Sequence, residues 1–362
     1  MKNKKRLTPT PLMLLIILTI ILLTAISCRI FLGEQPDSSP QGIFDRIWTD
    51  LNETYALFEE RGIDWNEVYN IYSPRISPEM SDYSLFRVCA DMLGALNDPH
   101  VGIITPFGQS DFYHFGDMDY EDFIWKSREA FDLGVVQSYM DGDFIIAGDR
   151  GFFYGKFKDK PNAGYLFISN FFEYKVNLDI IPDWVKEIDD VIEYLKDTDV
   201  LILDLRGSLG GLGSNMDYIA SRFASEQKNY IQFCAKNGPG PADFSDPITW
   251  SIKPAGNRYT KPIILLTNGD TISASEWFVM ALCTQRHVTH VGTPTWGAFS
   301  ARIIRPLING WEYSISVLKV TDMNGKCYEG IGISPNEEHI VYNWEEIYYS
   351  KDPQLEYALE IF

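Results

Sequence analysis

Cysteine and histidine are scarce in this chain, at five residues each among 362. Cys89, Cys234, Cys283 and Cys327 lie far apart and form no CxxC pair, so their spacing signals neither a zinc cluster nor a dithiol redox couple. No metal constellation is visible elsewhere, and no cofactor is called for. Positive charge is in deficit as well: 31 Lys+Arg against 50 Asp+Glu give a formal charge of −19, with no basic patch beyond residue 6. Neutralising a phosphate backbone requires such a patch, which excludes nucleic acid as a general partner. Internal repeats and low-complexity tracts are missing too. The chain is instead rich in core-forming material, 45% hydrophobic and 14% aromatic, enough for one large domain or two modest ones. Disorder, a collagen-like fibre and a disulfide-stapled miniprotein are thereby excluded.

The first 28 residues stand apart. Lys2, Lys4, Lys5 and Arg6 precede an almost unbroken apolar run from Leu12 to Ile26, and Ala25-Ile26-Ser27 lead to Cys28. This is the order of an export signal. The run makes a helix of roughly 22 Å, short of the ~20 residues that span a hydrocarbon core. Leu23-Thr-Ala-Ile-Ser-Cys28 resembles a bacterial lipobox, with Ala25 where Leu is commoner, and implies a lipid on Cys28 after cleavage. The expected location is the bacterial cell envelope, with the protein held to a membrane by that lipid on the periplasmic side or at the outer membrane. Residues 29–42, with GEQPDSSPQG at their end, have the composition of a tether.

Beyond the tether, Phe44, Ile47, Trp48, Leu51, Tyr55 and Phe58 recur at helical spacing, and Leu85, Val88, Cys89, Met92, Leu93 and Leu96 do so again. Residues 43–100 are therefore a small helical unit. Residues 101–160 carry short aromatic runs broken by Gly and Asp, which predicts β-hairpins and a β-rich connecting segment. From Gly164 strands and helices alternate: a strand near Tyr165–Ser169, a helix near Asp183–Leu195, buried-type strands at Val200–Leu205 and Pro262–Thr267, a helix over Ser273–Cys283, a short strand at His290–Gly292 and further strands within Ile303–Val320. The pattern predicts an α/β core over residues 161–345, followed by a C-terminal segment at 346–362.

Three segments look like more than packing. Leu201-Ile-Leu-Asp-Leu-Arg-Gly-Ser-Leu-Gly-Gly211 runs a hydrophobic strand into a charged pair and then a glycine turn before a helix. The N–H groups of such a turn can receive an oxyanion, and the same glycines can simply permit a tight βα connection. The spacing is neither GxGxxG nor GxxxxGK[ST], so nucleotide binding lacks support. Thr267-Asn-Gly-Asp-Thr-Ile-Ser-Ala-Ser-Glu276 joins a buried strand to a helix, making Ser273 and Ser275 candidate nucleophiles; alternatively Asp270, Thr271 or Ser273 caps the helix, Ser273 with Glu276 as a capping box. His100 ends Leu96-Asn-Asp-Pro-His, and Glu329 lies in Tyr328-Glu-Gly-Ile-Gly-Ile-Ser-Pro-Asn336. A serine hydroxyl needs a base, and that base needs a carboxylate to orient it.

In this order, LNDPH, GYLFIS, DVLILDLRGSLGG, KPIILLTNGDTISASE, VGTPTWG and YEGIGISPN resemble the carboxyl-terminal processing protease and tricorn-core family of serine peptidases, over roughly residues 43 to 340. The resemblance implies a crotonase-like core of stacked ββα units preceded by a small N-terminal helical bundle. It implies Ser273 as nucleophile, with Ala274 supplying one oxyanion N–H and Gly210 and Gly211 the other. Members with a Ser/Lys dyad carry lysine where Ala298 stands here, which points to the tricorn-like branch: His100 as base and Glu329 as its orienter, with Asp98 a rival that better suits a chain turn. Other departures are Pro99 in place of a serine, Ser208 in place of an asparagine after DLRG, which loosens the oxyanion turn, and no clear PDZ-like segment within 101–160. The implied activity is that of an exported serine endopeptidase acting on peptide or unfolded protein through an acyl-enzyme. The alternative is a catalytically silent ligand- or peptide-binding protein on the same fold; the oligomeric state is not legible.

Overall fold

The computed structural model describes residues 37–106, 131–172, 181–341 and 351–362. The export signal, Cys28, most of the tether and residues 107–130 of the connecting segment lie outside the described residues. No helix among the described residues is long and apolar enough to cross a membrane.

The helical unit consists of α1 (Pro40–Thr54), α2 (Trp65–Tyr72) and α3 (Asp82–Gly94). Each begins where a short polar side chain takes up otherwise unpaired amides: Ser39 accepts from Gly42, Asp64 from Asn66 and Glu67, and Ser81 from Ser84. Pro40 at the first helical position reinforces the start of α1. The apolar stripes legible in the sequence meet in one core: Phe44, Ile47, Leu51, Phe86, Cys89 and Met92 are fully buried.

Further elements follow in chain order: β1 (Gly102–Ile104), α4 (Leu133–Gln137), β2 (Ile145–Ala147), β3 (Phe152–Lys156), β4 (Ala163–Ile168), α5 (Asp183–Lys186) and α6 (Ile188–Leu195). Next come β5 (Val200–Asp204), α7 (Gly213–Ala220), β6 (Lys228–Ala235), β7 (Ile248–Ile252), β8 (Ile263–Thr267), α8 (Ala274–Cys283) and β9 (Val288–Gly292). The chain closes with β10 (Arg302–Pro306), β11 (Glu312–Ser316), β12 (Leu318–Asp322) and α9 (Pro353–Glu360).

The central sheet has the order β2-β3-β4-β5-β8-β9, antiparallel at the β2 end and parallel from β4 to β9. Its inner strands β4, β5 and β8 are buried throughout, as strands covered on both faces must be. Alternate residues supply two cores: Leu166, Leu201, Leu203 and Leu265 face α6, α7 and α8, whereas Tyr165, Ile202, Ile264 and Leu266 face α4 and α9.

Two features differ from the sequence reading. The segment at 101–160 carries an expected hairpin, β2–β3, but the hairpin extends the central sheet instead of forming a connector, and 133–137 is helical. Nor does the helical unit stand alone. β1 pairs with β11 and β11 with β10, and Trp311, Tyr313 and Ile315 complete the core of α1 and α3. A third sheet, β12-β6-β7, covers the outer side of α8. Cys89, Cys234, Cys283 and Cys327 are all free thiols.

Candidate active site

The parallel strands β5 and β8 end side by side, and the loops that follow them are tied together atom by atom. Thr271 donates its hydroxyl to the Leu205 carbonyl at 2.8 Å, Asn268 Oδ1 accepts from Gly207 N–H at 3.0 Å, and Ile272 N–H donates to Ser208 O at 3.1 Å. Open parallel sheets place their reactive groups at this carboxyl end. Here the chain turns sharply into α8, and Ser273 takes φ 63° and ψ −126°, a conformation that glycine favours. The short polar residues around it are spent on holding that turn.

Ser273 is the N-cap of α8, so the capping and nucleophile interpretations fall on one residue. Its N–H donates to the Glu276 carboxylate at 3.0 Å, and its side chain is half-buried at the mouth of the turn. Ser275 is a different case. It is fully buried, its hydroxyl lies 2.8 Å from that of Ser208, and it accepts the N–H of Gly210 at 3.1 Å. Ser273 is therefore the serine with access to solvent.

The glycine turn packs directly on this elbow. A Cβ on Gly210 would lie 2.6 Å from Ser273 Cβ and 2.9 Å from Ala274 N, and one on Gly211 would lie 2.2 Å from the Phe171 carbonyl carbon. Both glycines have positive φ, 75° and 144°. The sequence grouped Gly210 and Gly211 as oxyanion donors, and the structure separates them: Gly210 N–H is held by Ser275. The N–H groups of Ala274 and Gly211 donate to no protein group among the described residues. Ala274 opens α8, where helical geometry leaves amides unpaired. Ser208, expected to loosen the turn, instead braces it through Ser275.

Glu276 is the pivot of the site. Its fully buried carboxylate accepts from Thr295 Oγ1 at 2.7 Å, Gly297 N at 2.6 Å, Ala298 N at 2.8 Å and Ser273 N. Burial raises its carboxyl to about 7, against the pull of these four donors toward the charged form. Ala298, at the position where a dyad lysine would stand, is itself buried. The next two amides, of Phe299 and Ser300, donate to Glu329 Oε1 at 3.0 and 2.7 Å. A single loop thus links the Ser273 elbow to Glu329.

Across from that loop lies the end of the helical unit. Asp98 Oδ1 accepts from His100 N–H at 2.9 Å and Oδ2 accepts from Tyr55 Oη at 3.0 Å, so Asp98 shapes the chain turn and makes no hydrogen bond to the imidazole. Arg61, between α1 and α2, donates to Glu329 Oε2 at 3.2 Å and to the Asn97 carbonyl, with its Nε 3.9 Å from Asp98. His100 is buried and its Nδ1 has no partner. No hydrogen bond joins the imidazole to Glu329 or to Ser273. Burial lowers the imidazole to about 4, opposed by Asp98, so the ring is neutral at physiological pH. Glu329 is shifted the other way, raised by burial and by Asp98, with Arg61 opposing.

Two contributors escaped the sequence reading. Arg61 has no motif around it, and Glu276 was legible only as a cap. A third group braces the site from behind: Arg206, fully buried, donates its Nε–H to both carboxylate oxygens of Asp204 at 3.0 and 3.1 Å, and reaches Asp352 at 2.8 Å and Gln354 at 3.1 Å on the C-terminal segment. The charged pair Asp204 and Arg206, at the end of β5, is therefore a clamp on α9. Among the described residues no group of three His, Cys, Asp or Glu is arranged to hold a metal ion.

A profile of the family described as peptidase family S41 matches residues 162–339, and one described as the tricorn protease C1 domain matches residues 36–94. Over these residues the chain is similar to the S41 peptidases and to the tricorn protease. The carboxy-terminal processing protease CtpB of Bacillus subtilis is 27% identical over 174 residues, covering 48% of this chain and 33% of that protein. The carboxy-terminal-processing protease of Bartonella bacilliformis is 30% identical over 194 residues, covering 50% of this chain and 39% of that protein. The alignment thus spans only a third or so of the length of these curated relatives. A solved structure from Parabacteroides merdae, assigned as a peptidase, aligns over 90% of this chain and 97% of its own with TM-score 0.76 and 29% identity.

Proposed function

We propose that the protein is an exported, lipid-anchored serine endopeptidase that cleaves peptide or unfolded protein through an acyl-enzyme, with Ser273 as nucleophile, His100 as base and Glu329 as the carboxylate behind it. The observation that carries this reading is the elbow: a half-buried serine in a glycine-type conformation, packed against Gly210 and followed by the Ala274 N–H, which has no partner among the described residues. Helix capping alone does not call for that conformation, since ordinary caps are extended.

In the proposed cycle the neutral imidazole of His100 takes the Ser273 proton as Oγ attacks the scissile carbonyl. The developing oxyanion is met by the N–H groups of Ala274 and Gly211, and the imidazolium then protonates the leaving amine. Water, activated by the same base, releases the acyl group. Glu329 keeps one oxygen on two amides and has acceptor capacity left on Oε2 beside Arg61, where it can accept a hydrogen bond from His100 Nδ1–H. Catalytic hydrogen bonds of this kind tighten when substrate binds. The lysine-free position at Ala298 fits a histidine base. Export and the lipid on Cys28 rest on the basic start, the apolar run and the lipobox-like LTAISC.

A second reading, a catalytically silent binding protein on the same fold, is favoured by one observation: in the resting geometry Glu329 engages Arg61 and not His100. The full chain, purified in detergent, separates the two when incubated with an unfolded protein substrate. New peptide termini that form with wild type and not with Ser273→Ala support the peptidase; identical, negligible cleavage by both favours the binder.

A further inference from the structure

We propose that Arg61 is a positioning residue of the catalytic centre, reaching from the helical unit to pair with the Glu329 carboxyl group and fix it within the cluster that holds His100. The inference rests on the peptidase reading above and adds to it a residue outside every motif.

The groups facing Glu329 come from each element packed around it. Arg61 and Tyr55 approach from the helical unit, Asp98 from its terminal turn, Glu276 from α8 and Cys327 from the strand-like segment beside β12; Phe299 and Ser300 supply amides. Asp98 and Glu276 are carboxylates, and both oppose a second and third negative charge nearby. Arg61 is the cation that offsets them. Its side chain is only 8% exposed and that of Glu329 1%, so water screens little of this interaction. Removing the guanidinium leaves buried carboxylates facing one another, which favours a proton on one of them. A protonated Glu329 can neither accept firmly from His100 nor stabilise the imidazolium.

Geometry strengthens the assignment. The guanidinium binds the Asn97 carbonyl, Glu329 Oε2 and, more loosely, Asp98, which spans the turn leading into His100. Asn97 holds φ 48°, a left-handed conformation that this contact helps retain. His100 itself faces Asp98, Arg302 and Arg61. One side chain therefore fixes both the chain that carries the base and the carboxylate that serves it.

The test is the pH dependence of active-serine labelling by a fluorophosphonate, compared among wild type, Arg61→Met, Arg61→Lys and Asp98→Asn. Loss of an opposite charge at this range moves a carboxyl by about 1–3 pH units. The acid limb should therefore rise by at least about one unit in R61M, return most of the way in R61K, and move in the opposite direction in D98N. The isosteric D98N serves if R61M fails to fold. Carbon-13 titration of the Glu329 carboxyl in glutamate-labelled protein, assigned with Glu329→Gln, should follow the same order without any need for turnover. An unmoved Glu329 titration in R61M and D98N overturns the proposal. So does a uniform loss of labelling at all pH values that R61K does not restore, which marks a merely structural role. Wild type that fails to label at any pH removes the peptidase reading, and the catalytic role of Arg61 with it, whatever the titration shows.

Discussion

Replacing the proposed nucleophile by glycine should make the protein more stable, which is the reverse of what glycine does elsewhere. Ser273 sits at φ 63° and ψ −126°. A residue with a Cβ held in such a sparsely populated region carries strain of about 1–3 kcal/mol. Glycine is free of that strain and carries an entropic penalty of about 0.5–1 kcal/mol relative to alanine. The difference leaves Ser273→Gly about 1 kcal/mol more stable than Ser273→Ala, or a rise of about 2 °C in melting temperature. Alanine keeps the Cβ and so keeps the strain, and it should melt close to wild type because the hydroxyl is half-buried and buttresses little. The assay is thermal and urea unfolding of the three proteins in parallel. If S273G unfolds at or below S273A, the elbow is not strained and the argument for a pre-organised nucleophile falls.

Other consequences follow from neighbouring contacts. Gly210→Ala puts a Cβ 2.6 Å from Ser273 Cβ at a positive φ, so the elbow must shift; fluorophosphonate labelling should fall by about a hundredfold, the loss expected from misplacing a reacting atom by an ångström. His100 titrates below its ordinary value, so its contribution is present in full above about pH 6.5 and is lost as pH falls toward 4. Wild type should therefore lose about 3 kcal/mol more than His100→Gln between pH 7 and pH 4, measured by urea midpoints; equal losses would contradict a buried neutral ring. Asp352→Ala removes a partner of the fully buried Arg206, and destabilisation of about 3–5 kcal/mol is expected by the same unfolding assay. A loss below about 1 kcal/mol would show that α9 does not depend on this clamp.

Much of this architecture was legible because it is local. Helical spacing gave α1 and α3, buried-type runs gave β5 and β8, and the strand-to-helix turn put Ser273 forward. The parts that were not legible depend on contacts between distant segments. Arg61 meets Glu329 across 268 residues of sequence, and no spacing rule reaches that far. The pairing of β1 with β11, which welds the helical unit to the late strands, is hidden for the same reason. β6 and β7 were missed because they flank a Gly- and Asp-rich stretch, 237–246, and are only partly buried, so their alternation is weak. The grouping of Gly210 with Gly211 was too coarse since composition marks a turn without saying which amide is free. Ser275 decides that, through a hydroxyl that the sequence offered as a rival nucleophile.

The central claim is that Ser273 is an activated nucleophile and His100 its base. Reaction of the full chain with a fluorophosphonate, followed by peptide mass mapping of the modified residue, addresses it directly. The account predicts a single adduct on Ser273 that is absent from Ser273→Ala, strongly reduced in His100→Ala, and retained in Ser275→Ala. Folded wild type that remains unmodified, or an adduct on Ser275 or another serine, contradicts it.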